Sequence, residues 1–302
     1  MRDERLGFVP EEIRPLLRGI VQETIAEILG VSLTELSSPA GREALRTFVT
    51  DQLKEWFTPE FLSLISEGHS LLSDRAILKH MEKGNVVIEP FKRENLGTAS
   101  YDISLGRYFY REQRPRPGVR RIFNPYNQRH VERVWGDYQE AVKAKELMSR
   151  YGPLEEWDGI SPDDEVILLG PHETILAHTE EFIGGTGGVV TTMMKARSSF
   201  GRVFIEIAKC AGWGDVGYTN RWTMEITNNS QYYPIPLVVG RRIGQMAFFE
   251  VDPILEMGKD YVATGHYQPT ANIEDLERLW RPGMMLPRLP YDREARKVRG
   301  EI

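Results

Sequence analysis

RWTMEITNNSQYYPIPLVVGRRIGQMAFFE, residues 221–250, contains three short runs rich in β-branched and aromatic residues, RWTMEITN, YPIPLVV and QMAFFE, separated by Asn, Ser and Gly. Runs of this length bounded by turn formers read as strands. In the first, Trp222, Met224 and Ile226 alternate with Thr223, Glu225 and Thr227, so on a strand the three polar groups share one face. The same texture extends upstream through NVVIEPF (85–91), YDISLGRYFY (101–110), DEVILLG (164–170), ETILAHT (173–179), GGVVTTMMKA (187–196) and VFIEIA (203–208). No helical period separates most of these runs, which predicts an all-β barrel or sandwich.

Helical patterns flank that core. Apolar residues recur at three and four from Pro10 to Gly30, again from about Ser38 to Trp56, and briefly from Thr58 to Glu67. Residues 1–70 therefore read as a helical extension for packing or oligomerisation, since nothing in it clusters reactive groups. Ser73 as N-cap and Gly84 as stop predict a short helix over 74–83. The domain proper spans 71–255, with an insertion at about 111–162 and a C-terminal tail or lid at 256–302. In the insertion, RPRPGVRRIFNPYNQ (114–128) is too rich in Pro and Arg for a central strand. DYQEAVKAKELMSRYG (137–152) reads as a helix on its Ala, Leu, Glu and Lys content. Arg111, Arg114, Arg116, Arg120 and Arg121 suit either nucleotide phosphates or, the favoured reading, a solvated face or subunit contact. The charged end DREARKVRGEI (292–302) is expected to fray.

Composition narrows the class of function. A net charge of -6 over 302 residues argues against a long nucleic-acid partner, whose phosphates want a basic surface. A single cysteine, Cys210, excludes an internal disulfide framework and a multi-cysteine metal site. With a charged N-terminus and no 18-residue apolar run, the expectation is a cytoplasmic protein with no membrane partner.

Three motifs carry chemistry. His178-Thr179-Glu180 spells the H-x-E of zinc-dependent nucleobase deaminases. Those sites need further soft ligands, so no zinc is expected, and His178 reads as a strand histidine with a local hydrogen bond. GGTGG (184–188) lacks the Lys and Ser/Thr of a P-loop and reads as a turn. RSSFGR (197–202) puts two cations and two hydroxyls into six residues at the end of a strand. It is either an oxyanion-binding site, with free backbone N–H groups beside Arg197 and Arg202, or a surface turn. Glu225 is a candidate acid/base if its face lines a cavity, where desolvation raises a carboxyl pKa; if that face is the wet side of the sheet, it is only solvated.

LSDRAILKHMEKGNVVIEPF (72–91), LGTASYDISLG (96–106), LLGPHETILAHTEEFI (168–183), ARSSFGR, AGWGDVGYTNRWTMEITN and GRRIGQMAFFE resemble the successive motifs of the dCTP deaminase family, within the dUTPase-like superfamily. The resemblance implies a dUTPase-like (β-clip) distorted barrel, assembled as a homotrimer with sites built from two chains. It implies deamination of dCTP without zinc, Mg²⁺ arriving only with the substrate triphosphate. Glu225 falls on the family's proton-shuttling glutamate, Ser198 on its water-orienting serine and Arg202 on its supporting arginine. Arg197 and Ser199 fall in the nucleotide-binding stretch, Thr223 and Met224 beside the base, Asp215 facing the sugar, and Gln245 on the glutamine of R-I-G-Q. Gly201, Gly214, Val216 and Asn220 depart from the family's usual Ala, Ile, Pro and Gly. GHYQPT matches the closing K-Y-x-x-Q motif only with His266 and Thr270 in place of Lys and Gln.

The leading expectation is hydrolysis of dCTP to dUTP and ammonia. The first alternative is a bifunctional enzyme giving dUMP and pyrophosphate. A second, from a different class, is a non-catalytic trimeric nucleotide-binding or interaction protein.

Overall fold

The computed structural model describes residues 71–118, 122–152, 157–186, 188–251, 254, 261 and 267–302, which belong to one compact unit, His69–Ile302. The helical extension expected over 1–70 lies outside the described residues, as do Arg120, Arg121 and His266. Helix α1 (Asp74–Glu82) forms where expected, its start capped by the Ser73 hydroxyl, which accepts from the Ala76 N–H.

The strands are β1 (Val86–Glu89), β2 (Tyr101–Arg111), β3 (Gln139–Glu140), β4 (Val142–Lys143), β5 (Glu165–Leu169) and β6 (Thr174–Gly185), followed by β7 (Val190–Ala196), β8 (Ile205–Glu206), β9 (Trp213–Gly214), β10 (Thr219–Asn228), β11 (Ile235–Val238) and β12 (Arg242–Glu250). Nine make one curled sheet in the order β8-β10-β6-β2-β12-β7-β9, with β1 added on β6 and β3 on β2. Strands β11-β5-β4 form a second, small sheet. The fold is thus mainly β, and every pairing in it is antiparallel. Ile103, Ile175, Ile183, Met194, Met224, Ile226, Met246 and Phe248 are buried in one core, because alternate side chains of paired strands turn inward together.

The H-x-E histidine is part of this packing. The buried His178 Nδ1 lies 2.7 Å from the Thr179 carbonyl, which only accepts, so Nδ1 carries the hydrogen. Its Nε2 accepts from the Tyr108 N–H at 3.3 Å. Burial lowers its pKa to about 4, which keeps the ring neutral. The strand reading of His178 therefore describes what it does. A Cβ on Gly106 would sit 2.0 Å from His178 Cε1. Gly106→Ala is expected to cost about 1–3 kcal/mol through this overlap, lowering the melting temperature by roughly 2–10 °C in a thermal scan. A melting curve superimposable on wild type would overturn this account.

The insertion is woven into the sheets. Helix α2 (Gln128–Trp135) ends at Gly136, whose φ is 63°, and β3 and β4 then pair with β2 and β5. Only Ala144–Tyr151, helix α3, is helical in the segment expected to be one helix over 137–152. Tyr138 packs edge-on against Tyr108, and the Ala141 N–H bonds the Arg107 carbonyl, so tertiary pairing overrides helix propensity there. Arg111 ion-pairs with Glu173 and donates to the Leu168 carbonyl, a structural role, while Arg114 and Arg116 are exposed.

In the tail the one short helical stretch expected within 262–283 forms at Ile273–Leu279, and only the extreme end differs from expectation. Leu276 of helix α5 (Ile273–Leu279), with Trp280 and Met285 beyond it, packs against Tyr110, Leu176 and Phe182. The end expected to fray instead carries helix α6 (Arg293–Val298), fixed by burial of Ala295 and by an Arg299 Nη2 bond to the Pro290 carbonyl at 2.7 Å. Among the described residues no helix is long and apolar enough to cross a membrane.

Candidate active site

Strand β10 runs between β6 and β8, with Glu225 opposite Leu176 and Thr223 opposite His178. An irregularity in register between Arg221 and Thr223 sits just before them, the kind of break that re-aims side chains. Thr223 and Glu225 open onto a cavity of about 440 Å³, within the size range of small-molecule sites. The glutamate face is therefore the wall of a pocket, which removes the solvated-sheet alternative. Burial is the largest influence on Glu225 and pushes its carboxyl up to about 7, against smaller opposing effects of a backbone hydrogen bond and Lys209.

The loop that enters β10 supplies the next wall, through Ala211, Trp213, Asp215 and Tyr218. Just before it Lys209 and Cys210 take left-handed backbone angles, φ 40° and 65°, in a sharp turn that leads Ala211 to the pocket. Two departures from the resembled motif find their reason here. A Cβ on Gly214 would lie 2.4 Å from the Trp222 ring and from Thr192 Oγ1, so an Ile at 214 has no room beside Trp222. The Asn220 side chain donates to the Tyr267 carbonyl at 2.8 Å, and Gln268 accepts from the Thr219 N–H at 2.7 Å. Together they tie the tail to the start of β10, which brings Tyr267, Met285 and Pro287 to the pocket.

The sequence-derived site residues fall into two groups. Asp215, Thr223 and Glu225 line the cavity; none of its described lining residues is Lys, Arg or His. Ser198, Ser199 and Arg202 are exposed on helix α4 (Ser198–Arg202), which Arg197 precedes, and none of the four lines that cavity. Arg197 Nε lies 3.3 Å from Asp102 Oδ2, an oxygen that Arg242 Nη1 also reaches at 3.2 Å. Gln245 pairs in register with Asp102 and Lys195, beside this cation cluster, and its Nε2 is 3.4 Å from Ser100 Oγ. The Met224 side chain is wholly in the core, so only its backbone is available beside a ligand. The Thr270 hydroxyl accepts from the Asn272 N–H, leading into α5, and does not line the cavity.

Trp135, Tyr218, Tyr267 and Met285 line the pocket without having been singled out as site residues. Tyr267 lies inside GHYQPT and Tyr218 inside the AGWGDVGY motif, which was a signal; Trp135 and Met285 arrive by tertiary packing alone. Among the described residues no group of three His, Cys, Asp or Glu is arranged to hold a metal ion.

The family model for dCTP deaminase-like proteins matches residues 71–251. A Bifidobacterium longum protein named dCTP deaminase, dUMP-forming, is 31% identical over 199 residues, covering 66% of this chain and 89% of its own length. A protein of the same name from Methanococcus aeolicus is 31% identical over 192 residues, with 59% of this chain and 82% of its own covered. The chain belongs to the dCTP deaminase-like family. Among solved structures, 2'-deoxycytidine 5'-triphosphate deaminase from Agrobacterium tumefaciens matches at a TM-score of 0.42 and 18% identity, over 62% of this chain and 50% of that one.

Proposed function

We propose that the protein deaminates dCTP, with Glu225 as the general acid/base. The observation that carries this reading is the half-buried Glu225 carboxyl in a nucleoside-sized cavity, desolvated until it titrates near neutral pH. A group poised there takes a proton from water and returns one to the leaving group at physiological pH. Water adds across the C4=N3 bond of the cytosine as Glu225 accepts one of its protons and passes it to N3. The same carboxyl then takes the proton of the new C4 hydroxyl and delivers it to the amino group, and ammonia leaves as the C4 carbonyl forms. Asp215, exposed at the cavity, faces the sugar. The triphosphate, arriving with its Mg²⁺ as part of the substrate, needs cations that the described cavity wall does not supply. Arg197 and Arg202 beside Ser198 meet that need when a second copy of the chain in a homotrimer brings them to the first copy's cavity.

The names of the relatives favour a second step, cleavage of the product to dUMP and pyrophosphate. Incubating the protein with dCTP and Mg²⁺ and separating products by chromatography tests both. Ammonia with dUMP and pyrophosphate supports the two-step reading, and ammonia with dUTP supports deamination alone. Intact dCTP under conditions where it binds overturns both, in favour of a nucleotide-binding protein without turnover.

A further inference from the structure

Three neighbouring strands carry polar side chains that lie outside the Glu225 cavity. Asp102 of β2 pairs in register with Gln245 of β12, and Gln245 with Lys195 of β7, so all three leave the sheet on one face. Their alternates Tyr101, Ile103, Met194 and Met246 fill the core behind them. Arg197 and Arg242 both close on this row, Arg197 Nε at 3.3 Å and Arg242 Nη1 at 3.2 Å from the same Asp102 oxygen, Oδ2. One carboxylate therefore serves two guanidiniums, and among the described residues no further carboxylate lies within ion-pair reach of either, or of Lys195. The patch keeps an excess of positive charge, which attracts anions. Arg242 meets Asp102 through one nitrogen of a five-donor fork, and its side chain is 45% exposed. Its neighbour Arg241 is committed elsewhere, to Asp164 and the Gly159 carbonyl.

Resting on the deaminase reading above, we propose that Arg242 is a further substrate-binding residue, which together with Arg197 holds phosphate oxygens of dCTP. Forked guanidiniums match phosphate oxygens in geometry as well as in charge. Two of them anchored on a single carboxylate oxygen are neighbours, so a triphosphate that reaches Arg197 also reaches Arg242. The ion pair with Asp102 fixes where the fork stands before the ligand arrives, which reduces the ordering cost of binding. Arg242 comes from β12 rather than from RSSFGR, so the phosphate half of the site spans two elements.

The test is binding to the full chain carrying Glu225→Gln, which holds substrate without consuming it, with and without Arg242→Gln. Two probes are compared: dCTP with Mg²⁺, by calorimetry, and deoxycytidine, which lacks the phosphates and binds more weakly, by ligand-observed NMR. The dissociation constant for dCTP is expected to rise roughly 10–100-fold, the loss of a hydrogen bond between charged partners, while that for deoxycytidine stays unchanged. Because salt screens exposed charges, the gap between the two proteins should narrow as ionic strength is raised. Arg242→Lys keeps the charge and loses the fork, so its dCTP affinity should fall between the two. Where the Gln variant fails to fold, the Lys variant carries the comparison, with a smaller loss for dCTP and none for deoxycytidine. Equal dCTP affinities with and without the guanidinium, or an equal loss for dCTP and deoxycytidine, overturns the proposal and leaves Arg242 as a structural partner of Asp102. No binding of dCTP by the Glu225→Gln parent overturns it as well. A wild-type protein that binds dCTP but leaves it intact overturns the deaminase reading instead, and Arg242 is still judged by affinity.

Discussion

Glu225→Gln is expected to lower the rate of ammonia release by about 10²–10⁴-fold, the usual loss when a positioned acid/base is removed, while dCTP still binds within about tenfold of wild type. The amide has nearly the shape of the carboxyl and keeps the pocket wall, but it neither takes a proton from water nor returns one. With the carboxyl at about 7, the base form that starts the reaction is scarce at pH 5 and dominant at pH 8. The wild-type rate should therefore rise through neutrality. The same substitution is a test of stability. Because burial raises the folded-state pKa above the ordinary carboxyl value of 4.5, the folded chain holds this proton more tightly than the unfolded chain does. Stability is thus lost as pH rises from about 4.5 to about 7, and the cost is constant above that. Glutamine removes a cost of about 1–3 kcal/mol, so the variant should melt above wild type at pH 8 and nearly with it at pH 4.5. A fall in stability at pH 8, or turnover near wild type, would show that the carboxyl is neither desolvated nor the proton carrier.

Why Glu225 was legible follows from strand geometry. An alternating WTMEIT segment puts Thr223 and Glu225 on one face whatever it packs against, and the sheet only had to supply a concave neighbour. The β-rich core was readable for the same reason, since two-residue periodicity is a local signal. The insertion was not, because Gln139–Glu140 and Val142–Lys143 have helix-forming composition and become strands only through pairing with β2 and β5. Residues Arg293–Val298 looked too charged to be held, yet Ala295 is buried and Arg299 reaches the Pro290 carbonyl. Met224 shows the limit of transferring roles by position, since its side chain belongs to the core while its neighbours line the pocket. Trp135 shows the limit of motif reading, because it reaches the cavity from about 90 positions upstream of Glu225 by tertiary packing alone.

Two individually inactive variants are expected to restore activity to each other when mixed. Arg202→Ala removes a cation from α4 and leaves the Glu225 cavity whole, while Glu225→Gln does the reverse. Each alone should be impaired by at least about 10²-fold, given what preorganised charges and acid/base groups contribute. If the site joins α4 of one copy to the cavity of the next in a cyclic trimer, random 1:1 assembly gives about a quarter of sites both intact halves. Co-expression of the two chains, followed by a dCTP assay, should then recover about a quarter of wild-type turnover per site. A mixture as inactive as its parents would place both halves within one chain. The converse mixture sharpens the result. Assembling wild type 1:1 with the Arg202→Ala, Glu225→Gln double variant leaves about half the sites active if each site is built within one chain, but about a quarter if it is shared between neighbours. The shared arrangement also accounts for the charge distribution of the chain. A described cavity wall without Lys, Arg or His suits a base and sugar, and Arg202, exposed on α4 outside that cavity, would meet the phosphates if another copy's cavity held them.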